Sequence, residues 1–323
     1  MKQYLSEKIF NTLNSRSTDY GFTLLDAISS GLANPDSNIG VYAGDAQSYQ
    51  IFSPLLDLII QDYHGISSKE SHFSDLAEVS IANLDPEGTF ILSTRIRVAR
   101  NIQDFPFTCQ INLAERKVLE RKIVEALAQL PEDLQGDYHP LQTLTKLQKH
   151  DGLFFERGDR FQEAAGINTD FPQCRGIFCS HDKEFSVWIN EEDHMRIISQ
   201  EKSADLSSVY RRLRRALTGL SQKLQFAHDP QYGYLSSCPT NIGTAMRAGV
   251  HIRLPELNRN RSLLTSITNK HEFQIRGTAG EKTEVEHGVF DISNRRRLGI
   301  SESEIIKRLH RGLVDIINAE RSL

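Results

Sequence analysis

The chain has 323 residues, 39% of them hydrophobic and 25% charged, which excludes wholesale disorder and leaves room for two domains or for one large domain with a small partner. Thirty-eight Lys and Arg stand against 42 Asp and Glu, a formal charge of −4, and that balance argues against a dedicated nucleic-acid binder with a broad positive field. The most apolar short stretch, Pro54 to Ile60, is broken by Asp57, and the N-terminus has no apolar core of a signal peptide, so neither a membrane span nor a leader is expected.

In chain order, the first 75 residues read as helical and loop-rich. Helices are expected over about Leu5–Asn14 and Ser53–Tyr63, separated by the turn-forming run Ala33–Asn38. The small polar segment His64–Ser71 reads as a linker, which places a small α domain at 1–75 and a large domain at 76–323. Strands begin after the linker. Phe90–Val98 alternates, with Phe90, Leu92, Ile96 and Val98 on one face and Arg95 and Arg97 on the other. A helix starting at Asn112 carries Val118, Leu119, Ile123 and Leu127. Gly176–Phe178 and Phe185–Asn190 form a hairpin around Ser180–Lys183. Leu206 to Leu224 repeats apolar residues every three or four positions, and Asn241–Leu254 alternates as a strand with Arg247, His251 and Arg253 on its polar side. Phe273–Arg276 and Val289–Ile292 are shorter strands, and a capping box at Ser301–Glu304 opens the last helix. The expected class is α+β: long helices packed on an antiparallel sheet, preceded by the small helical domain.

Four cysteines, Cys109, Cys174, Cys179 and Cys238, are too scattered for a disulfide framework or a zinc set. Free thiols in a cytoplasmic protein are expected. The basic run Arg211–Arg215 falls on the polar side of its helix and reads as a solvated or ion-paired face. Asn294–Arg297 reads as scaffold close to a nucleotide.

Arg95, Arg97, Arg247 and Arg276 sit on strands and point away from the apolar faces, while Arg196 follows Glu191-Glu192-Asp193. Several arginines converging on one sheet face need a counter-charge. A polyphosphate is the natural one, because guanidinium binds phosphate oxygens bidentately and keeps its charge. No glycine-rich nucleotide loop accompanies them: Gly277–Thr283 has Glu281 between its glycine and lysine. Protein-kinase signatures are absent.

The segments Leu92–Arg97, Val187–His194, Cys238–Thr244 and Arg276–Glu281, together with Ser37–Asp45 and Gln61–Gly65, resemble the phosphagen (guanidino) kinase family over nearly the whole chain and in the family's order. The resemblance implies phosphoryl transfer between MgATP and a guanidine, with Mg²⁺ held by the phosphates and water. It assigns the nucleotide to Ser93, Arg95, Arg97, Arg196, Arg247, His251, Arg276 and Asp291. Glu192 matches the catalytic glutamate and Cys238 the reactive cysteine, expected to be a thiolate. Glu281 matches a glutamate present in arginine kinases where creatine kinases carry an apolar residue. The loop Ser37, Asn38, Ile39, Gly40 and Tyr42 matches the segment that receives a long amino-acid guanidine, and Asp36 with Arg160 matches a pair joining the two domains. The segments Gly277–Gly288 and Ser37–Tyr42 are the expected lids.

The implied substrates are ATP or ADP and, from Glu281, free L-arginine. Taurocyamine, a protein-arginine substrate or a non-catalytic nucleotide-binding role stay open, as does a monomer or homodimer. One departure stands out: Gly152 occupies the place of the family's adenine-stacking histidine, beside His150.

Overall fold

The computed structural model describes residues 1, 3–66, 71–144, 155–277 and 288–323. In the small domain, α1 (Glu7–Leu13) starts at Ser6, whose hydroxyl accepts from the Ile9 amide. Helix α2 (Leu24–Ala33) is opened by a reciprocal Thr23–Asp26 capping box and buries Leu24, Ala27 and Ile28. A short α3 (Ser48–Ile51) leads into α4 (Ser53–His64), which has Pro54 in its first turn and ends at Gly65 with φ 64°. Sequence periodicity finds α1 and α4. The Thr23-x-x-Asp26 box is the signal that would have located α2.

The large domain is built on one eight-stranded antiparallel sheet in the order β2-β3-β4-β5-β1-β8-β10-β9. The strands are β1 (Ile91–Arg100), β2 (Gly136–Pro140), β3 (Gly176–Ser180), β4 (Phe185–Ile189), β5 (Met195–Glu201), β8 (Met246–Arg253), β9 (Phe273–Arg276) and β10 (Val289–Asn294). A separate two-stranded ribbon joins β6 (His228–Asp229) to β7 (Gly233–Tyr234).

One sheet face is covered by α5 (Leu113–Leu127) and by the helices Leu206–Ser221 and Glu302–Arg321. Their apolar stripes bury Leu119, Leu213, Leu309 and their neighbours against Ile96, Val187, Ile197 and Val250. Each such leucine or isoleucine taken out of water contributes about 1.5–3 kcal/mol. The helices leave the opposite face of the sheet free for chemistry.

Three details differ from the sequence pattern. The register of β1 against β8 shifts by one residue between Ile91 and Ser93, so Ile91 enters the core while Phe90 and Leu92 are only partly buried. A β-bulge inverts the alternation on one side of itself. The strand expected from Asn241 begins at Met246. Gly243 (φ 90°) and Ala245 (φ 49°) interrupt the extended backbone, and a Cβ at Gly243 would stand 2.3 Å from the Arg297 carbonyl oxygen. On α5, Val118 is exposed and Arg116 buried in its place.

The small domain packs on the large one through a shared apolar cluster in which Leu55, Ile59 and Tyr49 meet Phe107, Tyr232, Ile242 and Leu298. The Tyr49 hydroxyl donates to the Ser236 carbonyl at 2.7 Å, and His64 Nε2 lies 3.0 Å from the Pro239 carbonyl. The helix face around Arg211–Arg215 is ion-paired, as expected. Arg212 bridges Glu184 and Glu201, and Arg215 Nη2 meets Asp133 Oδ1 at 2.7 Å.

Candidate active site

Strand register gathers the arginines. Arg97 faces Arg247 across β1 and β8, Ser93 faces His251, and Asp291 faces both His251 and Arg276. Arg196 on β5 pairs with Ala99 and with Trp188. Side chains alternate along a strand, so all of these positions share the face turned away from the helices. A cleft of about 640 Å³ opens on this face, lined by Ser93, Arg95, Arg97, Arg247, His251 and Asp291 among others. Arg196 and Arg276 stand on the same face outside its walls.

The cations are poorly balanced. Arg247 is held by Asp291 at 2.5 Å and by Ser293 Oγ at 3.0 Å, and Arg276 Nη2 donates to Gln274 Oε1 at 3.1 Å. Arg196 Nη2 contacts Glu191 at 2.7 Å and Glu192 at 3.3 Å. Among the described residues Arg95 and Arg97 make no ion pair. Arg95 only shares the Trp188 ring with Arg196, at 6.0 and 5.4 Å. Burial, then the charges of Arg196 and Arg247, pull Arg95 down to about 10. Burial and the surrounding arginines Arg196, Arg95, Arg247 and Arg297 take Arg97 well below its ordinary value. Protein charge has been concentrated here at a cost, and a polyanion would relieve it.

Next to this cluster, Glu192 sits in the turn between β4 and β5, where Asn190 adopts φ 56° and its amide donates to the His194 carbonyl at 3.0 Å. Burial, followed by the neighbouring Glu191 and Asp193, raises the Glu192 carboxyl to about 7, against the pull of Arg196 and Arg97. Cys238 leads into the 3₁₀ turn Pro239–Asn241, with its Sγ 3.1 Å from Thr240 Oγ1. That hydroxyl is where the sequence places it. Against the expected thiolate, burial and then the Glu192 charge push the thiol up to about 12.

Tyr42 closes the corner from the small domain. It packs with Ala165 and Ile167, against which Cys109 and Cys238 also lie. Its hydroxyl is raised by burial and then by Cys238 and Glu192. Ser37, Asn38 and Ile39 lead into it, and Gly40 (φ 65°) lets the loop lie on α2, its carbonyl accepting from the Gly31 amide at 3.0 Å. A Cβ at Gly40 would stand 2.5 Å from Gly31 Cα. Arg160 is ion-paired with Asp36, both half-exposed.

Sequence reading missed two contributors. Trp188 is the platform under two of the arginines. Arg297, read only as scaffold, is buried and donates from Nη1 to the Thr240 carbonyl at 3.2 Å and to Asn241, which ties it to the cysteine turn. Neither carries a local signal beyond a single aromatic in a strand and one arginine in a run of three. Glu281, His150 and Gly152 lie outside the described residues, as does most of the Gly277–Gly288 segment.

The chain matches the family described as ATP:guanido phosphotransferase, C-terminal catalytic domain, over residues 118–323, and its N-terminal domain over residues 1–61. An arginine kinase of Homarus gammarus is 43% identical over 330 residues, covering 100% of this chain and 93% of that protein. The arginine kinase of Limulus polyphemus is 42% identical over 331 residues, covering 100% and 92%. Among solved structures, lombricine kinase superposes with a TM-score of 0.95 at 32% identity, covering 99% of this chain and 91% of that one. The substrate-free duplicated taurocyamine kinase from Schistosoma mansoni gives 0.92 at 35% identity, and this chain, 99% covered, spans about half (46%) of it. With both domain profiles matched in order and full-length relatives above 40% identity, the chain belongs to the ATP:guanido phosphotransferase family.

Proposed function

We propose that this chain is an arginine kinase, transferring the γ-phosphoryl of MgATP reversibly to the guanidinium of free L-arginine to give phosphoarginine and ADP. The observation that carries the reading is the juxtaposition of an arginine cluster in which Arg95 and Arg97 have no ion pair among the described residues with a largely buried carboxylate, Glu192, that shares Arg196 with Glu191. Full-length similarity to arginine kinases supports the choice of acceptor. The arginines receive the triphosphate, and Arg95, Arg97 and Arg247 supply positioning and charge neutralisation, which is most of what phosphoryl transfer asks of a protein. Among the described residues no group of three His, Cys, Asp or Glu side chains could hold a metal. The magnesium ion of the proposed reaction arrives with the nucleotide as MgATP.

On the acceptor side, Glu192 meets one edge of the planar guanidinium and aligns a nitrogen with the phosphoryl group. With its raised pKa, Glu192 is also the group best placed to take the proton released. Glu281 supplies the second carboxylate. Cys238 flanks the same nitrogen, and the loop Ser37–Tyr42 admits the amino-acid end. We place the domain junction at residues 75 and 76, and the enzyme in the cytoplasm as a monomer or homodimer; among the described residues no helix is long and apolar enough to cross a membrane.

The likeness to taurocyamine and lombricine kinases keeps a different elongated guanidine as the second reading. A coupled ADP-release assay on L-arginine, taurocyamine, lombricine, creatine and an arginine-rich protein separates the possibilities. Turnover on L-arginine exceeding that on every other acceptor is expected. Preference for another guanidine, or for protein alone, overturns the arginine assignment, and silence on all of them overturns catalysis.

A further inference from the structure

Behind Glu192 and Cys238 lies a fully buried polar network that the reaction itself does not use. Asp193 Oδ1 accepts from Asn101 Nδ2 at 2.7 Å and from the Ser237 amide at 2.7 Å. Asn101 Oδ1 accepts from the His194 amide at 2.9 Å, and its Nδ2 also reaches the Leu235 carbonyl at 3.2 Å. Thr108 Oγ1 donates to the Glu192 carbonyl and lies 3.2 Å from Ser237 Oγ. Asn101, Thr108, Asp193 and Ser237 are each at most 3% exposed.

The links tie functional segments to one another, directly through Asn101 and Asp193 and indirectly through Thr108. Asn101 directly follows β1, the strand that carries Arg95 and Arg97. Asp193 and His194 follow Glu192 in its turn, and Ser237 precedes Cys238. We propose that Asn101 and Thr108 are positioning residues that lock the Glu192 turn, the Cys238 loop and the phosphate-binding strand into one geometry. The inference rests on the reaction proposed above.

The physical reason is the sensitivity of in-line transfer to geometry. A buried carboxylate oxygen that accepts from two fixed donors narrows the turn to one arrangement, adding to the contacts of the Asn190 and His194 side chains with the Cys174 carbonyl, the Ile102 amide and the Pro106 carbonyl. A displacement of about 1 Å at the reacting groups costs on the order of 100-fold in rate. The network touches none of the nucleotide-lining side chains, so its loss should act on kcat and leave MgATP binding intact.

The test uses the full chain. Asn101→Leu keeps the size and removes all three side-chain hydrogen bonds, and Thr108→Val removes a hydroxyl isosterically, with Thr108→Ser as the conservative restoration. Expected for Asn101→Leu is a fall of about 100-fold in kcat with the MgATP dissociation constant within about twofold. For Thr108→Val the expected fall is about tenfold, largely recovered in Thr108→Ser. The rate of Cys238 alkylation, located by peptide mass spectrometry, should rise at least about fivefold in Asn101→Leu as the loop is released. If Asn101→Leu fails to fold, the Thr108 pair decides alone. A kcat within about threefold of wild type with unchanged alkylation overturns the proposal, and so does a loss of kcat matched by an equal loss of MgATP affinity. Wild-type silence on every guanidine overturns the reaction instead, and alkylation, which needs no turnover, still reports on the network.

Discussion

The phosphate face and the acceptor corner solve opposite electrostatic problems with different architecture. On the phosphate face, burial and then mutual repulsion depress the cations, which are mounted on adjacent strands whose ladders leave little freedom. In the acceptor corner, burial and then neighbouring carboxylates raise the Glu192 carboxyl to about 7, and it is mounted on turns fixed by buried side-chain hydrogen bonds. In the proposed reaction each half is completed by a substrate of opposite charge. The contrast teaches that strands suffice to place a charge cloud for a diffuse trianion, whereas a planar cation that must present one nitrogen needs a turn held by a network.

The sharpest way to break this contrast is Glu192→Gln. It should lower kcat by roughly 10³-fold while leaving MgATP binding in place. Because a carboxyl raised on folding binds its proton more tightly in the folded state, it withdraws stability as pH rises from the ordinary carboxylate value through about 7. Glu192→Gln should therefore melt higher than wild type at pH 8, and a lower melting temperature there would count against a strained carboxylate.

Arg97→Ala comes next. Turnover should fall on the order of 10²-fold with weakened MgATP binding, while the ligand-free protein loses no stability because mutual repulsion is relieved. Marked destabilisation, read by thermal melting, would mean Arg97 is a structural cation.

A pH series tests the acceptor corner without mutation. Below about 7, kcat/KM for the guanidine should drop about tenfold per pH unit as Glu192 takes up its proton. A flat profile between pH 6 and 8 would remove Glu192 as the titrating group. In the same range Cys238 alkylation should be slow and still climbing at pH 10, given a thiol pushed up to about 12; a plateau by pH 8 would restore the thiolate.

The smallest effect is expected at Arg160→Ala. The pair with Asp36 is half-exposed on both sides, so its loss should cost under about 1 kcal/mol in equilibrium unfolding.

Sequence patterning was sufficient for the elements whose burial repeats regularly: the helices over Leu206–Ser221 and Glu302–Arg321, the β3–β4 hairpin, and the arginine faces of β1 and β8. It failed where one residue changes the phase or the backbone leaves the extended region, at the Ile91–Ser93 bulge and at Gly243 and Ala245. It also failed on short α2, whose only strong signal is its cap.

By itself the sequence pointed to arginines sharing one sheet face, because strand alternation is a local property of the chain, while the link between Glu192 and Cys238 came from ordered motifs that resemble the guanidino kinases. Only the tertiary structure decided which arginines lack an ion pair among the described residues, that Trp188 and Arg297 lie beside the cluster, and that burial pushes the Cys238 thiol up. Those outcomes depend on burial and on charges brought together from positions more than a hundred residues apart, such as Arg97 and Arg247. Through-space electrostatics of that kind have no signature along the chain.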